Sequence, residues 1–547
     1  MSCVVPEHRL RTPWARAYRD AALWSGVALG ASFARTAAQR RDATALVDAD
    51  TEIGFAELER RVAALAGGLA ALGVSAGDAV AYQLPNWWEA AATFLATVTL
   101  GAHAVPIVPI LRGREVSVIV RQTRPRVVVL PHQHRNVDFV AQMRTVLAAT
   151  PEVQPTLVVA RAETGSLGLH AERFADVIGS APAAPPTPPD AGRLALVIYT
   201  SGSTADPKGA LHTHDTLTAE LSSLVVAHGL GPADRVLMPS PLTHISGVVH
   251  GILAPALLGT SAVLEERWEP GAALADIARH RVTYMIGAPT FLQEILAHPR
   301  VREHDLSSLR LFSCGGASVA PELMRLGRAL LPGVVTKRSY GSSEFPTIAT
   351  TGVADALERG LDTEGRALQG VEIRITDADG RTLAGGTEGE IRARGPECFL
   401  GYVDATLDAD SFDADGFFRT GDLGVLDGDG YLRVTGRVKD IIVRKGEKIS
   451  AREVEDLLLS HPAIADAALI PLADANTGER ACACVQLARD AQPLTLDALV
   501  AFLRGHDLTP QKLPEQLELV DDFPRTPSGK INKRLLRESI ERRARPS

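Results

Sequence analysis

Short apolar runs recur along this chain, most followed by a loop and then an amphipathic stretch. Arg126–Leu130, Leu194–Tyr199, Val282–Ile286, Leu309–Ser313 and Gly333–Lys337 are examples. Runs of this length suit strands buried on both faces. Their alternation with helical sequence predicts a layered α/β fold with much parallel pairing. In such sheets ligands gather beyond the carboxyl ends of the strands. Residues that directly follow these runs are therefore the first candidates for chemistry.

The chain has 547 residues, more than one core usually serves, which predicts at least two domains. After about Gly370 the pattern changes: Val371–Thr376, Gly389–Arg394 and Tyr431–Val434 read as β segments, with turns at Asp377–Gly380 and Asp427–Gly430. A second change follows Arg437. Ser450-Ala451-Arg452-Glu453 reads as a capping box opening a helix over 451–460, with strands to follow at Ala467–Pro471 and Ala483–Leu487. The expected architecture is α/β. A large N-terminal domain of layered mixed β-sheets and helices spans 1–436, and a small α+β C-terminal domain spans 437–547.

Composition removes several classes. The net charge is -8, with both signs spread along the chain, which argues against a nucleic-acid partner. The N-terminus lacks an apolar core followed by a small-residue cleavage site, so no signal peptide is expected. No stretch of about 18 uninterrupted apolar residues occurs. The nearest, Ile245 to Leu258, is broken by Gly247, His250, Gly251 and Pro255. The five cysteines lack paired metal or disulfide spacings, and Cys482 and Cys484 read as alternate positions of one strand. These features predict a soluble, cytoplasmic protein without integral membrane association. Monomer and homodimer both stay open.

One loop stands out against that background. Tyr199-Thr200-Ser201-Gly202-Ser203-Thr204-Ala205-Asp206-Pro207-Lys208-Gly209 leaves the apolar run Leu194–Ile198. Small residues let backbone N–H groups converge on an anion, hydroxyls donate further bonds, and lysine adds charge. The pattern is not a Walker A loop, because Pro207 rather than glycine precedes Lys208. A flexible Ser/Gly linker is the bland alternative, and it rarely follows a buried strand directly.

Six further segments follow strands or turns. They are Pro239–Gly247 with His244, Ser313-Cys314-Gly315-Gly316-Ala317, Ser339-Tyr340-Gly341-Ser342-Ser343-Glu344, Thr420-Gly421-Asp422, Gly436–Ile449, and Pro524–Lys530. Taken singly each is weak: a lone histidine, a glycine pair, a basic hairpin, an exposed lysine near a C-terminus.

Taken in chain order, with the loop at 199–209, they resemble the adenylate-forming superfamily of acyl-CoA synthetases, adenylation domains and firefly-type luciferases. The resemblance covers roughly residues 30 to 540. It implies a phosphate loop made by Thr200, Ser201, Gly202, Ser203, Thr204 and Lys208, with Ala205 standing where the family usually has glycine. It places Gly315, Gly316 and Ala317 against adenine and Tyr340 stacked on it, with Ser339, Gly341, Ser342 and Ser343 around the nucleotide. Glu344 is implied as a magnesium ligand, with Thr200 beside it. Asp422 would hold the ribose hydroxyls and Arg437 ribose or phosphate. Lys439 aligns with a hinge near 437–440, making the small domain mobile. Gly446 and Lys448 belong to the loop that enters in a second step. His244 would orient the acid or gate its pocket, and Lys530 is the implied catalytic lysine.

The chemistry so implied is acid activation with ATP and magnesium, then transfer to a thiol. The absence of a carrier-protein segment after residue 540 favours coenzyme A as acceptor, with a separate carrier protein as the rival. A non-catalytic nucleotide-binding homologue is a third reading, against which Lys530, Glu344 and Asp422 all stand. Leu84-Pro85-Asn86-Trp87-Trp88-Glu89 is similar to alicyclic and medium-chain acyl-CoA ligases of the cyclohexanecarboxylate type. These motifs do not specify the acid.

Overall fold

A computed structural model describes residues 14–162, 167–168, 170–179, 189–200, 206–353, 355–444, 447–474, 478–489, 491–506, 508–526 and 530–544. Among these residues the strands form sheets of thirteen, seven and five strands, besides a two-stranded hairpin. The apolar runs of the sequence become strands Val127–Pro131, Leu194–Thr200, Tyr284–Gly287, Leu311–Gly315 and Val335–Tyr340. Their ends lie one to three residues further toward the carboxyl end than the runs, and Leu194 starts both run and strand.

The thirteen-stranded sheet changes character along its width. Thr44–Asp48, Ser261–Leu264, Arg235–Met238, Tyr284–Gly287, Leu311–Gly315 and Val335–Tyr340 pair side by side in parallel. Beyond Val335–Tyr340 every pairing is antiparallel, through Phe418–Leu426 and Tyr431–Arg437 to Glu372–Thr376 at the edge. The turns at Asp377–Gly380 and Asp427–Gly430 close as the sequence predicts, with Gly380 and Gly430 donating back to Asp377 and Asp427.

Helices cover the sheets through faces spaced as a helix requires. In Gly113–Thr123 the buried residues are Val116, Ile119, Val120 and Thr123, one stripe of a 3.6-residue period. A single apolar core joins residues of both large sheets, Leu46, Val80, Val127 and Val236 among them, through helices such as Phe55–Ala71 and Trp88–Thr99. At about 1.5–3 kcal/mol per fully buried large side chain, this shared core holds the two sheets as one body.

The five-stranded sheet, built from Ile441–Arg444, Glu447–Ser450, Ile464–Asp474, Gly478–Leu487 and Gln516–Leu519, has its own core around Ile442, Val454, Leu469 and Leu499. The chain is thus a large N-terminal part of mixed sheets and helices with a smaller C-terminal part. Cys482 and Cys484 lie two apart on Gly478–Leu487 and pack on one face with Phe523, Leu536 and Ile540.

One local expectation changes, and one run takes an unusual form. The predicted capping box does not form: Ser450 Oγ donates to Thr435 O at 2.6 Å, and Glu453 pairs with Lys512 at 2.6 Å. The hydroxyl ties the small sheet's helix Ala451–Leu458 to the strand Tyr431–Arg437 instead. The run Ile245–Leu258 is one continuous helical stretch whose middle, Val248–Leu253, is a π-helix, a form that is rare and concentrated at functional sites. Among the described residues no helix is long and apolar enough to cross a membrane.

Candidate active site

Three of the predicted segments leave the same edge of the parallel sheet. Met238 leads into Pro239–Gly247, Gly315 into Gly316 and Ala317, and Tyr340 into Gly341–Glu344. In the neighbouring sheet, Leu194–Thr200 and Lys208–Thr213 pair antiparallel with Thr200 opposite Lys208. The loop positions Ser201, Gly202, Ser203, Thr204 and Ala205 lie outside the described residues, as do Gly446 and the side chain of Lys448.

Glu344 is held from two sides. Its Oε1 accepts from the Tyr402 hydroxyl at 2.8 Å, and its backbone oxygen accepts from Phe399 N at 2.8 Å. The Lys208 ammonium sits 5.5 Å from the centre of the Tyr402 ring, within cation–π range. The segment carrying Tyr402 is laced to the strand after the loop, with Leu211 N donating to Gly401 O and Val403 N to Gly209 O. Tyr402 therefore joins Lys208 to Glu344.

Asp422 organises a second cluster. Its Oδ2 accepts from Tyr340 Oη at 2.8 Å and its Oδ1 from Arg437 Nε at 2.6 Å. Asp422 and Arg437 are register partners on adjacent antiparallel strands, which brings the pair together by pairing alone. A carboxylate offers about four lone-pair sites, so two further hydroxyls can still bind. Burial and the Asp422 charge push the Tyr340 hydroxyl well above its ordinary value, so it stays a donor.

Lys530 enters this cluster from the far end of the sequence. Its backbone closes a small loop, with Thr526 N donating to Lys530 O at 2.7 Å. Burial, then the Arg437 guanidinium, lower its ammonium pKa; the charges of Asp422 and Glu344 oppose the shift. A side-chain carbon placed on Gly316 would come 4.0 Å from Lys530 Cε, and Gly316 itself has φ +77, which favours glycine. His244 faces the same lysine. Burial and Lys530 push its imidazole down to about 4, so it is neutral near pH 7 and accepts from Ser246 N at 3.4 Å through Nδ1.

The other predicted residues divide. Ser339 Oγ is engaged inside the fold, 2.7 Å from Ser313 Oγ and 2.8 Å from Thr350 Oγ1. Ser342 Oγ accepts from Glu344 N and Phe345 N, so it shapes the turn that presents Glu344. The oxygen of Ser343 is bonded by His212 Nε2 at 2.8 Å. Gly315 ends its strand with Ser339 as register partner. Lys439 is exposed on the turn Val438–Asp440, two residues after Arg437.

Three residues that sequence reasoning missed hold these groups in place: Tyr402, His212 and Asn86. His212 and Tyr402 do not follow an apolar run at a strand exit, the signal that found the others; Asn86 follows the strand Ala79–Tyr82 but carries no motif of its own. Their roles rest on contacts 58 to 179 residues apart in sequence, which no local pattern marks.

Known protein families match both parts of the chain. The AMP-binding enzyme family matches residues 33–403, and the AMP-binding enzyme C-terminal domain matches 453–530. The medium-chain fatty-acid–CoA ligase of Escherichia coli (strain K12) is 36% identical over 532 residues, 96% of this chain and 93% of that protein. The feruloyl-CoA synthase of an Amycolatopsis species is 36% identical over 511 residues, 92% and 97% of the two chains. Among solved structures, ATP-bound MatB from Rhodopseudomonas palustris superposes with a TM-score of 0.84 at 28% identity, covering 95% of this chain and 100% of that one.

Proposed function

The chain belongs to the AMP-binding enzyme family, and on that premise we propose that it joins an organic carboxylic acid to coenzyme A in two half-reactions, with named residues in each. It is an ATP-dependent acid–thiol ligase, as its acyl-CoA ligase relatives are. The observation that carries the site assignment is the position of Lys530. A residue from the small C-terminal part stands among Asp422, Glu344 and His244 of the large one, beside Arg437 at the junction of the two.

In the first half-reaction an oxygen of the acid attacks the α-phosphorus of ATP. The bond to the bridging oxygen breaks and pyrophosphate leaves, giving an acyl-adenylate. The transition state gathers negative charge, so catalysis needs positioned cations more than a strong base. Lys530 bridges the incoming carboxylate and the α-phosphate, and Lys208 with the loop from Thr200 to Thr204 holds the outgoing phosphates. Tyr340 and Gly315–Ala317 receive adenine, and Asp422 with Arg437 the ribose. Neutral His244 orients the carboxylate without adding a charge of its own.

The donor set suits magnesium, since Glu344 and Thr200 offer hard oxygen atoms beside the phosphate loop. Glu344 and Thr200 would hold it there, and it would supply positive charge against the phosphates. In the second half-reaction the thiol of coenzyme A attacks the acyl carbon and AMP leaves. We assign the large domain to 1–436 and the small one to 437–547. Rotation at Lys439 withdraws Lys530 and brings in the Gly446 loop with Lys448.

A panel of short, medium, long, aromatic and alicyclic acids, each with ATP and magnesium and with or without coenzyme A, tests this reading. The expected result is acid-dependent release of pyrophosphate and AMP, with an acyl-CoA thioester only when coenzyme A is present. An adenylate that accumulates while coenzyme A stays inert would make a carrier protein the acceptor. ADP in place of AMP would overturn the assignment.

A further inference from the structure

The segment Leu84–Glu89 takes no part in the reaction just described, yet its Asn86 is buried and holds the chain that carries His244. Asn86 Nδ2 lies 3.1 Å from Met238 O, 3.0 Å from Ser240 O and 3.1 Å from Glu265 O. Its Oδ1 accepts from Leu242 N at 2.8 Å. One side-chain amide, with two N–H donors and one acceptor oxygen, thus spans four backbone groups at the carboxyl ends of the strands Arg235–Met238 and Ser261–Leu264. Backbone groups buried beyond a strand exit need partners from elsewhere; Met238 O also accepts from Glu265 N at 3.2 Å.

A second side chain grips the same turn. The buried Tyr82 donates its hydroxyl to Leu242 O at 3.1 Å, so both backbone groups of Leu242 are held by side chains of the other sheet. The turn then closes on itself. His244 N donates to Pro241 O at 2.8 Å, and a side-chain carbon on Gly247 would fall 2.0 Å from that same oxygen. Between the fixed Leu242 and the closed turn, the direction of His244 is set. Only an amide of this length serves. Aspartate would turn a charged acceptor toward three carbonyls, and alanine would remove the side-chain partner of Leu242 N and of the Ser240 and Glu265 carbonyls, while Met238 O keeps Glu265 N.

We propose that Asn86 is a positioning residue of the acid site: with Tyr82 it fixes the Ser240–His244 turn, and so sets how the carboxylic acid is received, without touching substrate. The inference rests on the assignment of His244 to the acid site.

The test compares Asn86→Ala, Asn86→Asp and Tyr82→Phe with wild type by acid-dependent pyrophosphate release and by amide hydrogen exchange of residues 239–247. The expected result is a KM for the acid raised about tenfold or more in the Asn86 variants and about threefold in Tyr82→Phe, with the KM for ATP within about twofold. Exchange across 239–247 should quicken while 194–200 and 208–213 keep their wild-type rates. Equal rises in both KM values, or exchange that quickens throughout, would overturn the proposal in favour of a general packing role. If Asn86→Ala does not fold, Tyr82→Phe, which removes one hydroxyl, decides. If wild type turns over no acid, the ligase reading fails, and the exchange measurement, which needs no turnover, still decides for or against the positioning role.

Discussion

The Tyr402 hydroxyl donates to Glu344 at 2.8 Å while the face of its ring lies 5.5 Å from the Lys208 ammonium. One side chain thereby fixes the relative position of a carboxylate and a cation that come from different sheets. Both contacts sit where the phosphates of ATP are assigned, so the hydroxyl and the ring have separable effects.

Tyr402→Phe keeps the ring and removes the hydroxyl. The expected outcome is a KM for ATP raised about three- to tenfold, in line with about 1 kcal/mol for one hydrogen bond. The magnesium concentration needed for half-maximal rate should rise with it, and the KM for the acid should not move. Steady-state kinetics with each substrate varied in turn checks this; a change confined to the acid would contradict it.

Asp422→Ala leaves the buried Tyr340 hydroxyl and the Arg437 guanidinium without their shared acceptor. Binding of ATP, followed by calorimetry, should weaken about tenfold or more. Denaturant unfolding should lose about 1–3 kcal/mol. Asp422→Asn keeps an acceptor oxygen and should lose less of both.

Stability should depend on pH through a carboxyl outside the site. Burial pushes Glu397 from 4.5 up to about 7, with its Oε1 accepting from Ser223 Oγ. Glu220 is pushed well above its ordinary value by burial and by Glu397. Between about pH 5 and 7 the unfolded chain has released a proton that the folded chain still holds. Stability therefore falls as pH rises through that window, by at most about 1.4 kcal/mol per pH unit for one group, and levels off above it. Glu397→Gln should flatten the fall, as read from urea midpoints across pH. An unchanged slope would place the titration elsewhere.

The sequence made the fold class and the strand exits legible because buried parallel strands write themselves as unbroken apolar runs, and Leu194–Thr200 or Leu311–Gly315 needed no partner to be seen. His244, Glu344, Asp422 and Lys530 were reachable from their motifs and order. What stayed hidden is long-range. Ser450 carries the signature of a helix cap, and only the nearby Thr435 carbonyl diverts its hydroxyl. Ser339 looks like a nucleotide contact, and only the neighbouring strands reveal its hydroxyl chain to Ser313 and Thr350. Asn86 and Tyr402 act wholly through segments distant in sequence.

The placement of Lys530 beside Asp422, Glu344 and His244 is tested most directly by acid-dependent exchange of labelled pyrophosphate into ATP, measured on wild type and on Lys530→Ala. The reading predicts that the variant loses at least about a hundredfold in exchange rate, as removal of a group that stabilises developing charge does, while a supplied acyl-adenylate is still converted to thioester. Exchange at the wild-type rate in Lys530→Ala would contradict it.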